Sequence, residues 1–183
     1  DHKSSRGLGD VYKRQNKQLY ADANGTLRVT YGNVKAVSLK DGLTYEPFTR
    51  LEGIPEKHTG EEPFNASDKL LNLINKKDYG DYYYEPVNSV PVNFLSTLDI
   101  TNGNSGSATI NSDFELVGLA FDGMLETIIA DYKYIPEART ISVDSRYFLW
   151  TLDKLENAEN ILEELSITLS LIHISEPTRR LVI

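Results

Sequence analysis

The sequence contains no cysteine, and it has fewer basic than acidic residues. Without a thiol the chain has no thiol nucleophile, no disulfide and no thiolate metal ligand. Its 19 lysines and arginines are outnumbered by 27 aspartates and glutamates, which gives a formal net charge of −8. A chain this acidic has little with which to neutralise phosphates, so we expect no nucleic-acid partner. No apolar run approaches the roughly 20 residues of a membrane-spanning helix.

The two ends of the chain differ in character from the stretch between them. Residues 1–15 show no apolar period, and near Ser170 an acidic helical pattern changes abruptly into a mixed basic string. Both strings read as translated adapter sequence, so we expect residues 1–15 and 170–183 to be non-native flanks. An ordinary disordered arm at each end is the alternative. Residues 16–169 are then expected to be the native part, cut from the interior of a longer gene.

Short apolar alternations predict a mainly β chain that ends in a helix. Asn24-Gly25 is typical of a hairpin turn. Asn111-Ser112-Asp113 predicts a second turn. Ser67 is expected to cap a short helix, and helical periodicity over 147–165 has an expected break near Asn157. Alternation and β-branched content predict strands at 27–31, 34–39, 90–100, 108–110, 115–121 and 141–143.

A glycine-flanked serine is the strongest candidate for chemistry. Ser105 lies in the segment Gly-Asn-Ser-Gly-Ser at 103–107. A serine nucleophile needs an exposed hydroxyl and donors for the developing oxyanion, and the backbone N–H groups of Gly103 and Ser105 can provide those donors. The nucleophile elbow of α/β-hydrolases requires glycine two residues after the serine, whereas position 107 is serine. Four residues alone would favour an ordinary turn.

The sequence that follows Ser105 favours catalysis over a turn. Residues 116–123 read Leu-Val-Gly-Leu-Ala-Phe-Asp-Gly, which resembles the substrate-binding strand of trypsin-like peptidases. In those enzymes the last glycine forms one wall of the primary specificity pocket. A further strand and a C-terminal helix come next, as that fold expects. The three features in this order resemble the C-terminal β-barrel half of a chymotrypsin-like double β-barrel.

Longer matches resemble the bacterial dipeptidyl-peptidase 7/11 family. They are DANGTLRVTYGNV (22–34), PFTRLEGIPEKHTGEEPF (47–64), PVNFLSTLDITNGNSGS (91–107), GLAFDG (118–123) and RTISVDSRYFLW (139–150). The resemblance implies an exported, periplasmic or secreted serine exopeptidase that releases dipeptides from free peptide N-termini. It further implies a homodimer at full length, without metal or cofactor. Residues 16–169 would be the C-terminal part of its catalytic domain.

The resemblance assigns roles to four positions. Ser105 would be the nucleophile, with Gly103 in the oxyanion hole. Asp122 would bind the α-ammonium group of the substrate, a role that suits a carboxylate at the end of the substrate-binding strand. Gly123 falls where the branch specific for acidic P1 residues has arginine, P1 being the residue before the cut bond. Glycine there predicts a hydrophobic P1 preference and the dipeptidyl-peptidase 7 branch.

Three departures from the family pattern and one absence qualify these roles. Asn102 stands where the family usually has glycine, beside the oxyanion loop, and Ala108 where it usually has proline. Residues 124–130 also differ from the usual Asn-Trp-Glu run and its continuation. Of the three histidines, His2 and His173 lie in the suspect ends, and His58 is expected on a surface loop. The catalytic histidine and aspartate are thus expected outside the chain, which would be inactive alone.

Two other functions stay open at this stage. One is a non-catalytic chymotrypsin-like binding domain that keeps only the scaffold. The other is a trypsin-like endopeptidase, because Asp99 lies six residues before Ser105, where trypsin-like enzymes keep the acid that binds lysine or arginine. We give Asp99 less weight because the family pattern has aspartate here without basic specificity.

Overall fold

The computed structural model describes residues 27–129, 135–168 and 181–182. The expected hairpin at Asn24-Gly25 lies outside these residues. The described strands are β1 (Tyr31–Gly32), β2 (Val37–Lys40), β3 (Leu43–Tyr45), β4 (Phe48–Arg50), β5 (Pro91–Ser96), β6 (Ala108–Ile110), β7 (Leu116–Gly123), β8 (Thr140–Asp144) and β9 (Leu181–Val182). The described helices are α1 (Gly53–Lys57), α2 (Asp68–Lys76), α3 (Ser145–Trp150), a π-helical turn (Thr151–Leu155), α4 (Glu159–Leu162) and the 3₁₀ turns Gly80–Tyr82, Glu85–Val87 and Leu125–Ile129.

Seven of these strands form one antiparallel sheet in the order β1-β9-β6-β7-β8-β5-β4, and β2 pairs with β3 in a separate ribbon. The residues just after β1 return to β5: Val34 forms an isolated bridge with Ser96, and the Lys35 N–H donates to the Leu95 carbonyl at 3.1 Å. This contact links the chain after β1, at one end of the strand order, to β5, the strand next to the other end, and so curls the sheet towards a barrel. In the described residues this closure is one bridge rather than a continuous ladder.

The short strand β9 lies within residues 170–183, which we expect to be a non-native flank. Its backbone pairs with β1 and with Ile110 of β6. The assignment of this flank stays a prediction.

Two apolar clusters form the core of the described residues. Trp150 of α3 is fully buried with Leu51, Val90 and Ile74, and Phe94 packs with Leu98 and Val117 in the other cluster. Trp150 is therefore a core residue. Its indole N–H is satisfied by the Asp78 carbonyl at 2.8 Å, as a buried indole requires.

The helices begin and end close to the residues expected from the sequence. Ser67 caps α2, its hydroxyl accepting the Leu70 N–H at 3.3 Å. The C-terminal helical region breaks at Asn157, which has a φ of 51°. Residues 27–30 are not in a strand, and the strand expected over 34–39 is displaced to Val37–Lys40. Elsewhere the predicted strands are present with shifted ends, and the mainly β class with a C-terminal helix is confirmed.

The tyrosine-rich connection at 82–84 packs against the sheet. Tyr82 and Tyr84 are buried, whereas Tyr83 is exposed and stacks on Tyr79 with ring centroids 5.8 Å apart. Burial, followed by the nearby Asp153 carboxylate, raises the pKa of Tyr82 to about 12. Tyr82 and Tyr84 of this loop are thus packed into the fold.

An ion pair joins β8 to α3. Asp144, 2% exposed, caps the helix by accepting the Arg146 N–H at 2.9 Å. The Arg146 guanidinium donates to both carboxylate oxygens, at 2.8 and 2.6 Å, and lies 4.0 Å from the ring centroid of Tyr84. A bidentate, stacked arginine of this kind cannot be replaced by lysine without loss of geometry.

Loss of this arginine is expected to destabilise the fold. Arg146→Met leaves the Asp144 carboxylate buried without its counter-charge, which costs about 3–5 kcal/mol in the free energy of unfolding. Urea unfolding of the chain measures the change. Asp144→Asn combined with Arg146→Met is the matched control and recovers part of the loss. A single variant within 1 kcal/mol of the parent would contradict a structural role for the pair.

No helix in the described ranges is long and apolar enough to cross a membrane.

Candidate active site

The Ser105 loop is held in a tight turn by its own backbone and by Asn104. The Asn104 side-chain oxygen accepts the Thr101 N–H at 2.8 Å, and the Asn104 N–H donates to the Thr101 carbonyl at 3.2 Å. These two bonds enclose Gly103, whose φ is 93°, and Gly106 follows with a φ of 88°. Side chains rarely adopt such angles, so the two glycines are required by the turn itself.

This loop is fastened to strand β7. The Gly106 N–H donates to the Ala120 carbonyl at 2.7 Å, and the Ala120 N–H donates to the Ser107 carbonyl at 2.9 Å. Ser105 is exposed between these anchors, and its hydroxyl donates to the Phe121 carbonyl at 3.1 Å. The loop thus presents a reachable hydroxyl directly beside the strand expected to bind substrate.

Two backbone donors near Ser105 are uncommitted. Within the described residues, neither the Gly103 N–H nor the Ser105 N–H donates to a protein acceptor. Both belong to the turn fixed by Asn104 and Gly106. An oxyanion hole requires such preoriented donors, because their alignment then costs no rearrangement during the reaction. Asn102, next to Gly103, is exposed.

The far end of β7 carries the two other predicted site residues. Asp122 is exposed, and its Oδ1 accepts the Gly123 N–H at 2.8 Å. On the β8 side the strand remains paired as far as Gly123, with an irregularity between Ala120 and Asp122. On the opposite side the pairing ends with the Gly106–Ala120 bond, and the Ser105 hydroxyl bonds to the Phe121 carbonyl. Within the described residues no strand pairs with 121–123 on that side, which forms an open strand edge next to Ser105.

The structure adds one residue to this region that sequence reasoning did not single out. A Cβ atom on Gly123 would lie 2.2 Å from Oγ1 of Thr127, which stands on the 3₁₀ turn after β7. The only sequence signal was that residues 124–130 depart from the usual family pattern. A contact between a strand end and the following turn cannot be derived from that departure.

His58 and Asp99, the other histidine and aspartate weighed in the sequence, have surroundings that differ from those of Ser105. His58 accepts the Ala66 N–H through Nδ1 at 3.0 Å and lines a cavity of about 420 Å³ beside β4, α1 and Tyr147. This half-buried loop histidine orders the local chain. Asp99 is half-buried just after β5, and its N–H donates to the Thr30 hydroxyl at 3.1 Å. In the part of the chain that the structure describes, no three acidic or histidine side chains gather as a metal ion would require.

The described residues combine a largely antiparallel sheet with an exposed serine on a glycine turn. Sequence comparison identifies the group: the chain belongs to the Peptidase S46 family, which it matches over residues 2–167. The resemblance noted from the motifs is thus confirmed.

The relatives in this family are named either Asp/Glu-specific dipeptidyl-peptidase or dipeptidyl-peptidase 7. The chain is 44% identical to an Asp/Glu-specific dipeptidyl-peptidase of Shewanella putrefaciens, over 86% of its own length and 25% of the relative's. It is 43% identical to dipeptidyl-peptidase 7 of Phocaeicola vulgatus, over 88% of its own length and 22% of the relative's. The chain therefore spans about a quarter of these relatives. Overall identity does not separate the two names.

Solved structures support the same relationship. The crystal structure of Porphyromonas endodontalis DPP11 in complex with the dipeptide Arg-Asp superposes with a TM-score of 0.78 and 35% sequence identity, covering 89% of this chain and 24% of that one. The chain thus has the fold of one part of a much longer enzyme.

Proposed function

We propose that this chain supplies the nucleophile and the substrate-binding strand of a serine-type dipeptidyl-peptidase. The observation that carries the proposal is the exposed Ser105 hydroxyl on a loop bonded to the strand that ends in Asp122 and Gly123. The relatives named as dipeptidyl-peptidases support the reaction class. Substrates are peptides with a free N-terminus.

The reaction proceeds through an acyl-enzyme. Ser105 Oγ attacks the carbonyl carbon of the second peptide bond, and a histidine base takes its proton. The uncommitted N–H groups of Gly103 and Ser105 stabilise the negative charge that develops on the carbonyl oxygen. The proton then passes to the leaving amine, and water releases the dipeptide from Ser105. The histidine and its aspartate are contributed from outside this chain.

Asp122 limits the cut to the second bond. A peptide added as a strand along the open edge at 121–123 would bring its first residue to the end of β7. There the exposed carboxylate of Asp122 pairs with the α-ammonium group. In a peptide with further residues at its N-terminus, the ammonium group would lie beyond Asp122 and would lack a counter-charge. This arrangement makes the enzyme an exopeptidase rather than a trypsin-like endopeptidase.

Gly123 favours an apolar P1 side chain. It adds neither volume nor charge to the pocket wall, so an aspartate or glutamate at P1 would be desolvated there without a cation. The complete protein is further proposed to be an exported homodimer.

Reporter substrates on the complete protein test the function. We expect release of dipeptides whose P1 residue is leucine or phenylalanine at least ten times faster than those ending in aspartate or glutamate, and no cleavage when the N-terminus is acetylated. Release of a fluorescent amine measures both. Faster cleavage after aspartate would refute the P1 assignment, and equal cleavage of acetylated substrates would refute the exopeptidase assignment.

The chain by itself provides the comparison. We expect it to hydrolyse these reporters at most in trace amounts, since a serine nucleophile without its base loses nearly all of its catalysis. Activity equal to that of the complete protein would overturn the external position of the base.

A further inference from the structure

We propose that Thr127 is a specificity-determining residue that sets the depth of the pocket for the P1 side chain. The proposal rests on the proposed function, because Gly123 is a pocket wall only if the chain binds peptides along β7. Thr127 follows Gly123 by four residues, on the 3₁₀ turn Leu125–Ile129. With Thr127, the proposed specificity site includes this 3₁₀ turn as well as the end of β7.

The space in front of Gly123 is already filled by this threonine. A Cβ atom built on Gly123 would lie 2.2 Å from Oγ1, 3.1 Å from Cβ and 3.3 Å from Cγ2 of Thr127. Carbon atoms do not approach other heavy atoms to 2.2 Å without bonding. The Thr127 side chain therefore fills the volume that a larger residue at position 123 would occupy. It forms the part of the pocket wall that a side chain at position 123 would otherwise form.

Thr127 is fixed in this place from behind. Its N–H donates to the Met124 carbonyl at 2.8 Å, and its hydroxyl donates to the same oxygen. The Met124 N–H in turn donates to the Arg139 carbonyl at 3.0 Å, and Met124 is 9% exposed. Arg139 is 4% exposed, and its guanidinium donates to the carbonyls of Lys35, Ala36, Pro136 and Ala138. These hydrogen bonds hold the backbone around Thr127 in place, so the Thr127 side chain resists displacement by a substrate.

The chemistry of this wall follows from the bond to Met124. A threonine hydroxyl has one proton, and this one is donated to the Met124 carbonyl. The side chain can then offer a P1 carboxylate no hydrogen-bond donor, while its methyl group offers apolar contact. The pocket is accordingly suited to apolar P1 residues, and its size depends on the volume at position 127. A change of one or two methyl groups in an apolar pocket alters discrimination about 10- to 200-fold.

Volume changes at position 127 in the complete enzyme test the proposal. Reporter dipeptides with a free N-terminus and alanine, leucine or phenylalanine at P1 give the ratio of kcat/KM values. We expect Thr127→Ala to raise the phenylalanine-to-alanine ratio about tenfold, and Thr127→Leu to lower it by a similar factor. Ile128→Ala is the matched control, because Ile128 is an exposed neighbour on the same turn, and it should leave the ratio unchanged.

The outcomes separate this inference from the proposed function. A ratio measured within one enzyme preparation is independent of how much of each variant has folded. If both Thr127 variants keep the parental ratio within twofold while still releasing dipeptides, Thr127 does not line the pocket and the inference is wrong. If the parent enzyme releases no dipeptide from any free N-terminus, the proposed function fails, and this inference fails with it.

Discussion

Ser105→Ala in the complete protein is expected to lower kcat about 10⁴- to 10⁶-fold, while KM for dipeptidyl reporters changes little. In the proposed mechanism the hydroxyl forms the acyl-enzyme, so its loss removes a step rather than a binding contact. The fold should survive, because Ser105 is exposed and its side chain makes a single hydrogen bond, to the Phe121 carbonyl. Steady-state kinetics with a free-N-terminal reporter measures the effect.

Ser107→Ala is the matched control for this variant. Ser107 lies in the same loop, and its backbone, not its side chain, forms the bonds to Asn104 and Ala120. The control should stay within a few-fold of the parent. A fluorophosphonate probe should label the parent and the control but not Ser105→Ala. Covalent labelling that persists in Ser105→Ala would place the nucleophile elsewhere.

Asp122→Asn should lower kcat/KM for free N-termini by at least 30-fold. In the proposed binding mode the carboxylate pairs with the α-ammonium group where bound peptide excludes water, and losing one partner of such a pair costs about 2–5 kcal/mol. The magnitude distinguishes two roles, because an exposed ion pair contributes less than about 1 kcal/mol, or roughly fivefold. A fall of less than fivefold would therefore indicate that Asp122 is a solvated turn residue.

Charge and position can be separated at this site. Asp122→Glu keeps the charge but moves it outward by one methylene, and it should retain more activity than the asparagine variant. Asp113→Asn changes an exposed turn aspartate on the hairpin between β6 and β7, and it should have no effect. Parental activity in both Asp122 variants would remove the ammonium site from the mechanism.

Local patterns predicted the parts of the fold whose causes are local. Ser67 is followed by an apolar face at helical spacing, and the structure has a capped helix there. The turn at 111–113 is set by Asn111, whose side-chain oxygen accepts the N–H groups of Asp113 and Glu115. Each of these features is a hydrogen bond within a few residues, so composition and order are enough to predict it.

Features made by distant residues were not predictable in the same way. The bridge from Val34 to Ser96 joins residues 62 apart, and no alternation pattern specifies such a partner. The ion pair of Arg146 depends on the ring of Tyr84 as well as on Asp144. Thr127 acquires its place only because the chain turns directly after β7. In the site itself, Ser105 and Gly103 followed from local chemistry, whereas Asp122 and Gly123 needed the family resemblance.

The open edge of β7 at 121–123 also bears on edge-to-edge pairing between copies of the chain. Unpaired strand edges recruit other strands, and proteins suppress this with short edges and with charges placed on them. Within the described residues this edge is three residues long, and Asp122 puts a carboxylate at its centre. Two copies that met edge to edge would bring these carboxylates together and repel each other. The ammonium group of the proposed peptide substrate would instead be attracted, so the same charge would disfavour edge-to-edge pairing and favour the proposed binding mode.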